Sequence, residues 1–256
     1  MANKIQIRRG IKANLPTLSA GEPAFCTDTK QLFIGTGSGN VEYAKQSDVN
    51  TINSQLNDLE YESVSRIITV GTGQMFKTIQ EAINSIKKYV LYDTKIKIEC
   101  NPGTYNEEIK LGGFYGGGTI EINTNKSAIS LQSIILEKCN IEITLNNLTL
   151  TSTTNHSIAI VDCNDSIISY CGIGGNTSSN SGIFVMNSNV IIKNTSISGK
   201  YCGIVAYENS NIYSNSNTGS GNYIGLNVGS NSVISKNGTQ PSGTTMETTS
   251  GGGIIR

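Results

Sequence analysis

The sequence predicts an all-β protein whose main body is a parallel β-helix, and two observations support this. Similar lines recur in the second half of the chain: SGIFVMNSNVIIKN, CGIVAYENSNIYSN and IGLNVGSNSVISKN. Aligned on Asn187, Asn209 and Ser230, they repeat about every 22 residues. Each line is rich in β-branched residues and has no helical half, which is typical of a β-solenoid. Such coils stack at about 4.8 Å and share one interior, because a single coil cannot bury its own apolar side.

The repeat also predicts which side chains hold the same position in successive coils. In this alignment Val190, Ile212 and Val233 form one column of the core. Asn187 and Asn209 are expected at corners, because asparagine tolerates the left-handed backbone region. Their stacked amides are expected to hydrogen-bond along the rod.

Composition argues against several classes of partner. The 256 residues carry a formal net charge of zero and only 15% are charged, so we expect neither nucleic acid nor an anionic membrane surface as partner. No apolar run reaches the roughly 18 residues of a transmembrane helix, so no membrane insertion is expected. The first residues lack the apolar stretch of a signal peptide, which predicts synthesis in a cytoplasm. In that compartment the six cysteines are expected to be buried free thiols.

Residues 1–45 are predicted to form a small β module. IQIRR alternates like a strand, AGEPAF and GTGSGN are typical of turns, and CTDTKQLFIG is typical of a hairpin. Such short strands make a poor core, so we expect the module to be oligomeric or docked. The order of RRG, LPTLSAGEPAF and LFIGTG within residues 5–40 resembles the N-terminal module of bacteriophage tail and fibre proteins of the major tropism determinant type.

This resemblance implies a virion protein made in a bacterial host. In that family the module lies at the virion end of a receptor-binding fibre, often as a trimer. The resemblance therefore implies a homotrimer that contacts other virion proteins through residues 1–45. Attachment to the tail and attachment to the head both stay open, and the resemblance names no receptor.

Residues 46–65 carry a helical pattern. Val49, Ile52, Leu56 and Leu59 follow one another at spacings of three or four residues, with polar residues between them. Two heptads do not hold a lone helix in water. One interpretation is an amphipathic helix that lies on a neighbouring domain. The narrow seam favours the other, a short coiled-coil linker through which the chains associate.

Residues 66–256 are predicted to form the β-helix. Thr78 and Glu81 have the spacing of a capping box, so a short helix is expected after the first strand. FKTIQEAI followed by NPGTYNEEIKL resembles the entry to pectin-lyase-like right-handed β-helices, which implies that this helix plugs the N-terminal end of a right-handed solenoid. GGFYGGG, residues 112–118, is interpreted as a long turn between coils. The polar segment 237–253 is expected to be an exposed loop, a flexible tip or a segment ordered only by neighbouring chains.

Catalysis has little support in the sequence. Glycoside hydrolysis needs two carboxylates, about 5 Å apart for retention or about 6.5 to 9.5 Å apart for inversion. Neither alignment of the coils places two carboxylates in adjacent coils, and the weak candidates Asp162 and Glu208 come two coils apart only for one choice of anchor. His156 is interpreted as a surface-loop residue, no spacing of histidines and cysteines suits a metal, and no cofactor is implied. These features favour a protein without enzymatic activity.

Aromatic residues of the last coils are the candidate ligand-binding groups: Tyr201, Tyr207, Tyr213 and Tyr223. Sugar rings stack on aromatic faces, and tyrosine adds a hydroxyl for hydrogen bonding. Packing between coils or chains is the alternative role for each ring. We therefore expect a virion fibre or tailspike that presents its β-helix to a host surface polysaccharide or another receptor. The alternative is a tailspike that cleaves this polysaccharide as a glycoside hydrolase or lyase.

Overall fold

The chain divides into two compact units, Met1–Glu60 and Tyr61–Arg256. The computed structural model describes residues 7–43, 47, 48, 50, 61–124, 129–175 and 179–256. The predicted coiled-coil seam of Val49, Ile52, Leu56 and Leu59 lies outside the described residues. No helix among the described residues is long and apolar enough to cross a bilayer.

The first unit is built around one small sheet. A single 3-10 turn, Lys12–Asn14, separates the first two of its strands: β1 (Arg8–Gly10), β2 (Pro23–Cys26), β3 (Gln31–Gly35) and β4 (Asn40–Glu42). They lie in chain order; β1 and β2 are parallel, and the other pairs are antiparallel. Within residues 7–43 the buried apolar cluster consists of Leu18, Ala24, Cys26 and Phe33. A core of this size gives little stabilisation by itself.

The second unit begins with short strands and one helix. These elements are β5 (Tyr61–Glu62), β6 (Arg66–Val70), α1 (Ile79–Asn84) and β7 (Tyr89–Val90). The predicted capping box is confirmed, because the Thr78 side chain accepts the Glu81 N–H and the Glu81 carboxylate accepts the Thr78 N–H. The Glu107 carboxylate then accepts the N–H groups of Ile79 and Gln80 at 2.9 and 3.1 Å, which fastens the helix to the first coil.

The remaining strands form a helix of parallel coils with three faces. Face 1 continues the sheet of β5, β6 and β7 with these strands: β8 (Lys95–Cys100), β10 (Tyr115–Asn123), β12 (Asn140–Asn146), β15 (Asn164–Ser169), β18 (Asn189–Lys193), β21 (Asn211–Asn215), β23 (Val233–Asn237) and β25 (Ile254–Ile255). Face 2 is narrow and contains β13 (Thr149–Leu150), β16 (Gly172–Ile173) and β19 (Ser196–Ile197). Face 3 contains β9 (Gly103–Gly112), β11 (Ile129–Glu137), β14 (Ile158–Val161), β17 (Ile183–Met186), β20 (Cys202–Tyr207), β22 (Asn222–Val228) and β24 (Gly243–Thr249).

Strand pairing confirms the predicted fold class, an all-β right-handed parallel β-helix. Every pair between successive coils is parallel, and within the described ranges face 3 contributes seven strands. The long strand β11 bends from face 2 to face 3, since its first residues pair with β13 and its last with β14. A parallel β-helix needs no crossover helices, because each coil returns the chain to the next rung.

Inward side chains of the coils fill one continuous core. Successive rungs of face 1 place Ser166, Val190, Ile212 and Ile234 in one inward column. The predicted column with Val233 is therefore wrong by one residue: Val233 pairs with Asn211 and is half-buried. The corner before β23 contains one residue more than the sequence alignment assumed, so inward positions repeat every 22 residues there.

Corners between face 3 and face 1 have the predicted left-handed backbone. Asn187 and Asn209 have φ values of 46° and 61°. The stacking inside the corner uses the following residue instead: the Cys163 N–H donates to Ser188 Oγ at 2.9 Å, and the Ser188 N–H to Ser210 Oγ at 3.3 Å. Each coil thus satisfies a buried backbone donor with a side chain of the next coil. All six cysteines are buried free thiols, as predicted.

The prediction of an exposed or flexible tail over 237–253 is wrong. This segment includes β24, which pairs in parallel with β22, and it is followed by β25, which pairs with β23. The side chains of β24 are largely exposed, so apolar burial gave no signal in the sequence. Backbone hydrogen bonds to the preceding coil hold the strand, and they do not depend on apolar side chains.

Candidate ligand-binding groove on face 1

A groove of about 680 Å³ runs along the outside of face 1, across the coils from β10 to β25. Its walls and floor come from Gly116, Gly117, Gly118, Thr119, Asn140, Ile141, Glu142, Asp165, Ser166, Ile167, Asn189, Val190, Ile191, Asn211, Ile212, Tyr213, Val233, Ser235 and Arg256. Side chains of alternate strand residues point outward, so equivalent positions of successive coils form rows along the groove.

One row is a ladder of amides. Asn164 Nδ2 donates to Asn140 Oδ1 at 3.1 Å, Asn189 Nδ2 to Asn164 Oδ1 at 3.2 Å, and Asn211 Nδ2 to Asn189 Oδ1 at 3.2 Å. All four residues are exposed. Because an amide has two N–H donors and two acceptor lone pairs, each rung keeps hydrogen-bonding capacity for a ligand.

The same row continues toward the N-terminal coils as tyrosines. The pairing register joins Tyr61 to Tyr89, Tyr89 to Tyr115, and Tyr115 to Asn140. The rings of Tyr89 and Tyr115 lie 5.1 Å apart at 60° and are 39% and 51% exposed. Three aromatic rungs therefore precede the four amide rungs, and we call the whole row the Tyr–Asn track.

A second, apolar row lies two residues beyond Asn189 and Asn211 on their strands and three residues beyond Asn164. Ile167, Ile191 and Tyr213 pair directly in successive coils, and Ser235 follows Tyr213. Ile191 and Tyr213 are 41% and 43% exposed, although they are apolar or aromatic. The Arg256 Nε–H donates to Ser235 Oγ at 3.3 Å at the C-terminal end of this row.

Glycines form the floor at the N-terminal end of the groove. The interpretation of residues 112–118 as a long turn is wrong, since Tyr115–Asn123 is a strand with a register shift between Tyr115 and Thr119. At Gly116 a Cβ atom would lie 2.0 Å from the Val90 carbonyl oxygen, and φ is +126°. Only glycine fits this close approach of two backbones.

Two carboxylates lie on neighbouring rungs of the groove, which the sequence alignment did not anticipate. Glu142 belongs to β12 and Asp165 to β15, and the register between these strands shifts by a bulge between Asn140 and Ile143. Asp165 has φ +58° and both side chains are exposed. No ion pair within the described part of the chain contacts either of them.

Asp162 and Glu208, the weak catalytic candidates, lie at the corner between face 3 and face 1. Asn187 lies between them: its Nδ2 donates to Asp162 Oδ1 at 2.8 Å, and its N–H donates to the carbonyl of Tyr207, which precedes Glu208. Neither carboxylate is among the residues that line the groove.

The four candidate tyrosines do not form one surface. Tyr213 lies in the groove, whereas Tyr201 and Tyr223 stack on each other at the start of face 3, with centroids 5.2 Å apart at 18°. Tyr207 is half-buried on face 3, where its ring tilts against Phe184 and its hydroxyl accepts Asn227 Nδ2–H at 3.1 Å. The structure thus brings two of them together and separates the others.

Two basic side chains, His156 and Lys200, lie away from the groove, beside face 3. His156 is half-buried rather than on the surface; its ring stacks on Phe184 at 4.8 Å. Burial, and secondarily the charge of Lys200, lowers the pKa of His156. Lys200 is 1% exposed and its Nζ donates to the Ser152 carbonyl at 2.6 Å. Burial lowers the pKa of Lys200 to about 8.

Clusters of acidic, histidine or cysteine side chains that could bind a metal ion are absent from the described part of the chain. Within the described ranges, no three such residues lie together in a way that could hold a metal ion. The two groove carboxylates have four oxygens between them, whereas Ca²⁺ takes six to eight oxygen ligands.

Comparison with known proteins gives one structural and one sequence similarity. The fold is similar to pectin methylesterase from Aspergillus niger in penultimately deglycosylated form: 15% identity, 71% of this chain and 70% of that chain covered, TM-score 0.43. It is also similar to pectin methylesterase from Aspergillus niger in deglycosylated form, with 13% sequence identity and a TM-score of 0.42. This similarity covers 76% of this chain and 88% of that chain. No curated protein matches the chain. Residues 5–39 match the family model of the major tropism determinant N-terminal domain, which supports the resemblance found in the sequence.

Proposed function

We propose that this chain is a bacteriophage fibre or tailspike protein whose β-helix binds a glycan on the surface of the host cell. The observation that carries the proposal is the match of residues 5–39 to the major tropism determinant N-terminal domain, in a chain whose second unit carries an open groove. The module fastens the protein to the virion through residues 1–45, and the β-helical unit Tyr61–Arg256 is the receptor-binding body.

The groove has the chemistry of a carbohydrate site. Exposed amides of the Tyr–Asn track supply donors and acceptors for hydroxyl groups, and exposed Tyr213 supplies a ring for stacking. At about 680 Å³ the groove is within the size range of ligand sites in proteins.

Association of three chains belongs to the same proposal. The module has only four buried apolar residues in its described part, which is too few for stability without a partner. The seam of residues 46–65 supplies the means of association. Light scattering on the purified protein tests this point: we expect the mass of a trimer, and a monomer would contradict it.

Adsorption tests the receptor function. Purified protein with a fluorescent label is expected to bind cells of a susceptible bacterium and to compete with phage adsorption. Removal of the surface polysaccharide from those cells is expected to abolish binding. Undiminished binding to the stripped cells would contradict glycan recognition, and the same cells treated with protease serve as the control.

A second candidate function is cleavage of the same glycan. Glu142 and Asp165 favour it, because both line the groove from neighbouring coils, and the spacing of about 4.8 Å between coils is close to the separation of about 5 Å that retaining glycosidases use. Incubation with host polysaccharide would release oligosaccharides, and Glu142→Gln or Asp165→Asn would abolish the release. If the wild-type protein releases no oligosaccharides, the cleavage function is contradicted and the fibre function is unaffected.

A further inference from the structure

We propose that the Tyr–Asn track and the apolar row beside it bind a linear glycan without net charge, laid parallel to the axis of the β-helix with one sugar ring per coil. This inference rests on the proposed function and specifies its ligand. It is drawn from the register of the rungs, from the pairing of a polar with an apolar row, and from the charges in the groove.

The spacing of the rungs favours a sugar polymer. Paired residues of successive coils are about 4.8 Å apart, and a sugar ring in an extended chain advances by nearly the same distance. An extended peptide advances about 3.3 Å per residue, so its side chains would lose register after a few rungs. From Tyr89 to Asn211 the track has six rungs, joined by backbone pairing except between Asn164 and Asn189, which a side-chain hydrogen bond joins. A row of this length suits a polymer better than a single sugar.

The two rows suit the two kinds of surface on a sugar ring. Asn189 and Asn211 present amides, and Ile191 and Tyr213, two residues further on, present apolar surface. Two residues of a strand span about 7 Å, so both rows lie under one ring. Ring hydroxyls would then face the amides, while the C–H face of the ring packs on the apolar row.

The aromatic rungs extend this surface toward the N-terminal coils. The rings of Tyr89 and Tyr115 are inclined by 60°, so at least one face of each remains open to solvent. Tyr92 is 79% exposed, and its ring lies over Gly117, where a Cβ would be 2.8 Å from Tyr92 Cδ2. The glycine floor therefore keeps an aromatic surface beside the groove, where the amide rungs end.

Charge in the groove disfavours an acidic polymer. The charged lining residues within the described ranges are Glu142, Asp165 and Arg256. Two carboxylates and one guanidinium give no excess of positive charge with which to hold a polyanion. A glycan of neutral or N-acetylated sugars avoids repulsion from these two carboxylates, and its hydroxyl groups can donate hydrogen bonds to them.

The test is binding to an array of immobilised bacterial oligosaccharides, neutral and anionic, of increasing length. We expect binding to neutral linear glycans, with affinity that rises with length. Tyr115→Ala and Tyr213→Ala each remove one stacking surface from the two rows, and each is expected to weaken binding roughly 10-fold. Tyr201→Ala and Tyr223→Ala test the competing surface on face 3, which the sequence also offered as a candidate ligand site. If the ligand lies on face 1, both variants bind as wild type.

Three results would overturn the inference: preference for polyanionic glycans, an unchanged affinity in both groove variants, or a loss confined to the face 3 variants. Adsorption to cells separates this outcome from failure of the proposed function. If wild type and groove variants adsorb equally, the ligand inference is wrong and the fibre function stands. If the wild-type protein neither adsorbs to any bacterial surface nor occurs in virions, the proposed function itself is wrong.

Discussion

His156 Nδ1 accepts the backbone N–H of Ser181 at 2.9 Å, which places the proton of the neutral imidazole on Nε2. A protonated ring would carry a hydrogen on Nδ1 as well and could not accept this bond. Together with burial and the nearby Lys200 charge, this geometry favours the neutral form, in agreement with the lowered pKa of His156.

Stability is therefore expected to fall as the pH drops below about 6.5. The pKa of His156 in the folded protein lies below its ordinary value of 6.5, so the unfolded chain takes up the proton first. The stabilisation is complete above pH 6.5 and is lost as the pH falls through the folded-state pKa. Urea unfolding of wild type and His156→Gln between pH 7.5 and about 5 measures this, since the chain has one histidine. Parallel curves for the two proteins would contradict the prediction.

The lowered pKa of Lys200 predicts a second pH dependence, in which the protein becomes more stable as the pH rises above about 8. The pKa of Lys200 is lowered from 10.5 to about 8, so the folded protein releases this proton before the unfolded chain does. The free energy of unfolding should rise by about 2 kcal/mol between pH 8 and 10.5 through this group. Lys200→Met retains the length of the side chain and should lack this rise. Equal slopes in both proteins would show that another group is responsible.

Gly116 and Gly113 form a matched pair for testing the glycine floor. Alanine at Gly116 would bring its Cβ within 2.0 Å of the Val90 carbonyl oxygen, whereas at Gly113 no atom lies within 4 Å. Gly113 has φ +67°, which other residues adopt at a modest cost, whereas φ +126° at Gly116 is nearly restricted to glycine, so the backbone cost and the clash are both larger at Gly116. We expect Gly116→Ala to lower the free energy of unfolding by about 3 kcal/mol and Gly113→Ala by about 1 kcal/mol. Equal losses on denaturant unfolding would argue against the close approach.

Substitution of the two neighbouring isoleucines, Ile191 and Ile192, tests binding and core packing separately. Ile192 points inward and is fully buried, while Ile191 points into the groove and is 41% exposed. Ile192→Ala should cost about 2 to 5 kcal/mol of stability through the cavity it leaves. Ile191→Ala should change stability by less than about 0.5 kcal/mol and should weaken adsorption to cells. A large stability loss at Ile191 would contradict the assigned direction of the two side chains.

The amide ladder is expected to be cooperative. Asn189 both donates to Asn164 and accepts from Asn211, so its replacement by alanine breaks two hydrogen bonds between exposed groups. We expect a loss of about 1 to 2 kcal/mol for Asn189→Ala. In a double-mutant cycle with Asn211→Ala, a coupling energy near zero would contradict the ladder.

The sequence predicted the solenoid because its signal is repeated in every coil. Val190 and Ile212 occupy the same inward column in sequence and structure, and the left-handed corners at Asn187 and Asn209 were recognisable from residue type. The N-terminal helix was equally clear, since the capping box is a local pattern of four residues.

Position across coils was harder to predict, because corners differ in length by single residues. Ile183 pairs with Ile204 on face 3, whereas Asn189 pairs with Asn211 on face 1, so the corner at Glu208 contains one residue more than the corner at Asn187. An alignment of the coils on any one set of residues is therefore in register on one face only. The bulge between β12 and β15 has the same effect, so the sequence did not reveal that Glu142 and Asp165 line the same groove from neighbouring coils.

The tyrosine rungs were missed for a related reason. Tyr89 and Tyr115 precede the clear repeats, and their strands carry no shared motif. Their alignment with Asn140 arises from backbone pairing alone, which residue types do not reveal. An amide at the start of four strands, Asn140, Asn164, Asn189 and Asn211, was the one signal in the sequence that pointed to this row.

The stacking of similar coils determines how a protein of this architecture can change in length. Each coil is held mainly by its two neighbours, so duplication or loss of one stretch of about 22 residues leaves the remaining contacts intact. Every such event adds or removes one rung, and under the proposed binding mode the length of bound polymer changes by one sugar. A β-helix of this kind can therefore change the length of its exposed rows by duplicating an existing coil, without a new fold.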